Sequence, residues 1–157
     1  MNTIANFFLS ISVGTLALFL RLCHGNPVRQ WVTLNFGFEG RALLEHFFAA
    51  IAIPLICATY MHLCFSWPSG RTVHSPSIHC RIVAWLSAHV GLVLATVFGF
   101  VYFSANLVFE WNQAFVSVYG ASARGYIQWT QIGTNLAGCI VACLLSIRRV
   151  ELDVSSS

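Results

Sequence analysis

The sequence predicts an all-α integral membrane protein: a bundle of four transmembrane helices with antiparallel neighbours and short loops. Three observations lead there. Four long apolar runs, Ile4–Leu20, Leu43–Phe65, Ile82–Phe109 and Tyr126–Ile147, occupy most of the chain. Each is close to or above the roughly 20 residues with which a helix crosses a hydrocarbon core. Hydrophobic residues make up 57% of the 157 and charged residues only 8%, against about 25% in a soluble domain, so the surface that water demands is missing. Nearly all the charge falls in the connectors. One transmembrane unit over 1–157 is expected, with helices at about 4–23, 43–65, 82–109 and 126–147, and the lipid bilayer is its first partner.

The first helix ends near His24, because Gly25-Asn26-Pro27 is a strong stop. It reads as a retained membrane helix, not a cleaved signal. No positive residue precedes the apolar stretch, and Arg21 falls where a cleavage site needs small residues. The connector 25–41 carries Trp31, Phe36 and Phe38 among polar and glycine residues, a composition suited to the headgroup level. Arg41 and Glu45, four apart at the start of the second helix, can pair along one face. Pro54 lies in that helix and is expected to kink it near Ala50.

Ser66-Trp67-Pro68-Ser69-Gly70 ends the second helix, and the short polar stretch to Arg81 predicts a tight hairpin into the third. The third run is the longest, and its end is expected to bend toward the interface over Tyr102–Phe109. Glu110–Gly125 reads as an interfacial loop. The fourth helix ends at Arg148-Arg149, followed by a polar tail from Glu151. Four crossings would leave both termini on one side. Arginines divide four against four (21, 29, 41 and 124 against 71, 81, 148 and 149), so the positive-inside rule does not orient the chain. Arg148-Arg149, directly flanking a helix, favours termini on the cytoplasmic side.

All eight cationic residues are Arg, which removes Schiff-base chemistry and the phosphate-loop lysine. A net charge of +3 on scattered arginines leaves no nucleic-acid footprint. The six cysteines form no Cys-x-x-Cys. Cys57, Cys139 and Cys143 lie inside apolar runs, where cysteine acts as a small hydrophobe.

Polar and small residues line up on three helices: Asn6, Ser10, Gly14, Ala17 and Arg21 on the first, then Ala84, Ala88, Gly91, Ala95 and Gly99 on the third. On the fourth they are Gln128, Gln131, Asn135, Gly138 and Ala142. In lipid, helices associate through close backbone approach and interhelical hydrogen bonds, and an amide facing hydrocarbon costs several kcal/mol. These stripes point inward or toward a partner protein.

Of the six histidines, His62 and His89 fall toward the same end of the expected hairpin, roughly 6 Å apart in depth. Neutral imidazoles on facing helices are the usual axial ligands of a membrane b-type haem, and Gln128 or Gln131 could hydrogen-bond a quinone carbonyl. His46 lies about 160° around the helix from His62, so those two cannot serve one site. Cys64, His74, His79 and Cys80 gather near His62, but their spacing matches no metal signature. Carboxylates are few: Glu39, Glu45, Glu110, Glu151 and Asp153. Only Glu45 is expected to enter the membrane, so a proton pathway lacks its acids. No phosphate loop, nucleophile elbow or His-Glu-x-x-His motif is present.

No family pattern carries over. After Arg41 the chain runs Ala42-Leu43-Leu44-Glu45-His46, without the Asn that the second helix of glutathione-linked eicosanoid enzymes carries. Cys80 interrupts the Ser-Ile-His-Arg stretch of succinate dehydrogenase anchors. The leading expectation is a non-catalytic subunit that lends helix faces to other membrane protein subunits. The alternatives are an electron-transfer anchor for b-type haem or quinone, and an immunity or exclusion protein that blocks a membrane partner by helix contact.

Overall fold

Gly25-Asn26-Pro27 stops one helix and starts the next in the same three residues. Asn26 closes the first turn, its amide donating to the Cys23 carbonyl at 3.1 Å. Its Oδ1 then accepts the Val28 amide at 2.8 Å, and its carbonyl accepts the Gln30 amide at 3.0 Å. An Asn before a Pro is a helix N-cap followed by the residue best suited to the first helical position. The connector expected over 25–41 is therefore mostly helix.

A computed structural model describes residues 2–23, 25–64, 85, 89–117 and 122–154, with side chains for all of these except 2–4, 6, 63 and 147–154. Its helices are α1 (Asn2–Leu22), α2 (Pro27–Cys64), α3 (Val90–Phe115) and α4 (Trp129–Val154), and no strand occurs among the described residues. The hairpin expected across Ser66–Arg81 lies outside them, as do His24, His74, His79, Cys80, Ala84 and Ala88. The side chains of Asn6, Arg148 and Arg149 are likewise outside.

Three helices, α2, α3 and α4, are long and apolar enough to cross a membrane, and α1 contributes the shorter apolar stretch Phe7–Leu22. At 38 residues, α2 would measure about 57 Å if straight, nearly twice a hydrocarbon core of about 30 Å. It breaks at Gly37, where φ is 71° and ψ 179°, a backbone state that glycine reaches without a Cβ penalty. The non-helical dihedrals inside α2 fall at Gly37, while Pro54 sits within continuous helix. On either side of the break Trp31, Leu34, Phe36 and Phe38 stand exposed.

The ends of α3 and α4 also differ from expectation. Instead of bending away over Tyr102–Phe109, α3 stays helical to Phe115, taking Glu110 out of the expected loop. In α4 the helix continues through Glu151 to Val154, where a polar tail was expected. Strong helix formers (Arg, Glu and Leu) populate that last stretch.

Packing centres on α2, which touches α1, α3 and α4, while α3 also packs on α4. From Ala50 to Thr59, α2 buries Ala50, Ile51, Ala52, Pro54, Leu55, Ala58 and Thr59, residues distributed around the whole helix. Ile51 and Leu55 meet Ala142 of α4, with Val13, Phe47, Val141 and Leu145 around them. Small residues set the closest approaches. Gly14 faces Ala52, and Gly99 faces Cys139. A methyl group on Gly138 would sit 2.6 Å from the Ala50 Cβ and 2.7 Å from the Phe47 carbonyl oxygen. The outer faces are the reverse of a water-soluble protein, with Phe8, Phe100, Val101, Val108, Ile140 and Leu144 exposed.

Because the obstacle beside Gly138 includes backbone, which cannot swing away, Gly138→Ala should lower the melting temperature in detergent by the equivalent of about 1–3 kcal/mol. Gly133→Ala, with nothing within 4 Å of the new methyl, should leave it unchanged or raise it by up to about 1 kcal/mol.

Candidate functional site

Arginines gather where α1 ends. The last carbonyls of a helix lack intrahelical donors and carry partial negative charge. Arg41 Nη1 donates to the Leu20 carbonyl at 2.7 Å, and Arg29 Nη1 to the Arg21 carbonyl at 3.1 Å. Arg21 Nη1 reaches Glu45 Oε1 at 3.1 Å, while Arg41 Nη1 lies 3.6 Å from Glu45 Oε2, four residues on. The Arg41–Glu45 pair expected from their spacing is thus present, with Arg21 as a second partner. Two guanidiniums share one carboxylate, and the third, Arg29, is held by the Arg21 carbonyl. Arg41 Nε is buried without a hydrogen-bond partner, whereas the Arg21 side chain is 63% exposed.

This cluster forms one end of a cavity of about 750 Å3 between α1, α2 and α3, within the range of roughly 300–1,000 Å3 typical of small-molecule sites. Arg21, Glu45, His46, Tyr102 and Asn106 give it a polar end, and Ile11, Leu18, Ile53, Ile56 and Phe109 line its apolar remainder. Its walls α1 and α3 each pack on α2 but hardly on one another, so the cavity is a lateral cleft floored by α2. The Asn106 amide donates to the Tyr102 carbonyl one turn back at 2.9 Å. That leaves its Oδ1 free to accept.

A second charge pair, its carboxylate buried, closes the C-terminal end of α3. Glu110 is 1% exposed and takes a hydrogen bond from Arg124 Nη2 at 2.8 Å. The Arg124 and Gly125 amides donate to the Gln113 and Ala114 carbonyls at 3.1 and 2.8 Å, and the Arg124 guanidinium lies 5.9 Å from the Tyr126 ring centre. This pair clasps the α3–α4 connection onto α3. Glu110 Oε1 and Arg124 Nε have no partner.

The four site residues expected from sequence fall elsewhere. His62 is exposed near the end of α2. His89 precedes α3, its ring stacked on Trp85 at 4.6 Å and its Nδ1 2.9 Å from the Trp85 carbonyl. Gln128 and Gln131 are half-buried at the start of α4. None of the four lines the cleft. Among the described residues, no three His, Cys, Asp or Glu side chains converge on a point. The stripe on α4 does turn inward, burying Asn135, Gly138 and Ala142, and both amide atoms of Asn135 lack a partner.

Sequence reasoning missed Tyr102 and Asn106 as site residues, and Glu110 as a buried one. The spacing of Tyr102, Asn106 and Phe109 (i, i+4, i+7) is the signal that could have found the α3 wall. Comparison with protein-family models, with curated proteins and with solved structures returns no match.

Removing one partner of a buried ion pair strands the other. Glu110→Ala should therefore destabilise the protein by about 1–3 kcal/mol, the Arg124 side chain left behind being 24% exposed, while an apolar Glu110→Leu/Arg124→Leu double variant recovers most of that loss. Thermal melts in one detergent compare them. Asn135→Leu, which removes an unsatisfied amide while keeping the same branching and heavy-atom count, should raise stability by about 1–3 kcal/mol in the same assay.

Proposed function

We propose that this small membrane protein is a four-helix transmembrane bundle with antiparallel sequence neighbours, and that it serves as a non-catalytic subunit of a larger membrane assembly. Register supports the arrangement. Arg21 pairs with Glu45 while Gly14 faces Ala52, and Gly99 faces Cys139 while Thr96 Oγ1 lies 3.7 Å from Cys143 Sγ. In both pairs one number rises as the other falls. Four crossings would place both termini on one side of the membrane, the cytoplasmic side if Arg148-Arg149 governs.

The outer face of α4 carries the subunit reading. The stripes noted on α1, α3 and α4 are largely consumed inside the chain, so they need no partner. Thr130, Gly133 and Ala137 are different. They share the opposite face of α4, are exposed, and leave open space around Gly133. Leu136 and Ile140 flank this notch, about half exposed. In lipid such a notch lets another helix approach closely, whereas lipid chains alone need no small residues.

Mild-detergent extraction from native membranes, with mass spectrometry of the co-purifying proteins, tests the assembly. One integral membrane partner should be recovered in stoichiometric amount, and Gly133→Leu/Ala137→Leu should release it without lowering the melting temperature. A partner-free monomer from native membranes overturns the reading.

A further inference from the structure

We infer that the cleft between α1 and α3 is a binding site for an anionic phospholipid, with an acyl chain along the apolar walls and the phosphate against Arg21. The inference is independent of the subunit reading, since it concerns a different face of the chain.

The cleft has the polarity gradient of such a molecule. Ile11, Leu18, Ile53 and Ile56 give an apolar trough, and the charged cluster closes one end. Charge selects the head. Arg21, Arg29 and Arg41 bring three positive charges, Glu45 offsets one, and no second carboxylate bonds to the cluster among the described residues. An anion compensates the remainder; a neutral or zwitterionic head does not. Geometry leaves Arg21 available for it. One Nη is engaged by Glu45, and the side chain is the exposed member of the trio, free to present its other donors to a phosphate. Arginine's planar fork suits that oxygen pair.

Access is lateral. Because α1 and α3 scarcely meet, a lipid enters sideways from the bilayer, with no conformational opening. The open wall includes exposed Thr15, Leu18 and Ala105, where hydrocarbon would otherwise meet the cleft directly.

The experiment reconstitutes the full chain in nanodiscs of equal phosphatidylglycerol and phosphatidylcholine, releases it into mild detergent, and counts retained lipid by native mass spectrometry. One phosphatidylglycerol per chain is expected, with phosphatidylcholine at least tenfold lower. Arg21→Gln should reduce retention about tenfold, the size of a lost charge-assisted hydrogen bond, and Arg21→Lys should restore part of it. Glu45→Gln separates binding from mere folding: removing the competing carboxylate should increase retention, although it breaks the same ion pair as Arg21→Gln. Ala105→Phe, filling the trough from its exposed wall, should block retention with helicity unchanged by circular dichroism, and it decides the matter if Arg21→Gln fails to fold. Equal retention of both lipids, loss of retention in Glu45→Gln, or stoichiometric recovery of a neutral quinone from native membranes in place of a phospholipid would overturn the inference.

Discussion

Polar groups in these helices have no water to fall back on, and that constraint organises the molecule. A group that cannot reach solvent must find its partner in the protein or remain unsatisfied at a cost of several kcal/mol. Ser10, Thr134, Ser146 and Asn106 answer it locally, each donating to a carbonyl three or four residues back. Such bonds keep hydroxyls and amides quiet inside an apolar helix. The charged residues answer it in pairs, Glu45 with Arg21 and Arg41, and Glu110 with Arg124. Asn135 answers it not at all, which marks it among the described residues as an inward amide whose presence packing does not explain.

The same constraint explains why α2 takes the central place. With little hydrophobic drive between helices in lipid, contact area has to come from close approach. Ala52 and Ala50 on α2 let Gly14 and Gly138 come near from different sides. A helix of larger residues could not hold three neighbours. Bulk is instead placed outward, where Phe100, Val108 and Leu144 face the surroundings.

Much of this was legible in the sequence. The apolar runs, the Arg41–Glu45 spacing and the inward turn of Asn135, Gly138 and Ala142 all follow from periodicity and composition. The start of α2 was not, because Gly-Asn-Pro signals a stop and a start with the same chemistry; only the Asn26 side chain, bonded forward to Val28, decides between them. Glu110 was hidden for a related reason. A carboxylate after a long apolar run reads as an exit from the membrane until its partner, fourteen residues on, is seen folded back over it. The cleft belongs to no single helix, so no window of sequence contains it. His62 and His89 drew attention because imidazole is chemically versatile, whereas the histidine that lines the cleft is His46, which periodicity had set apart from His62.

Why the cleft stays open follows from its charges. Closing α1 onto α3 would bury more apolar surface, which in lipid gains little, and would also enclose Arg21, now 63% exposed, with Glu45. Enclosing an ion pair requires stripping both members of their solvent, a penalty that mutual attraction repays only with further hydrogen bonds in good geometry. Here those bonds are incomplete: Arg41 Nε already lacks a partner, and the Arg21 carbonyl is taken by Arg29. An anion arriving at Arg21 would give its remaining donors an acceptor without forcing the walls together.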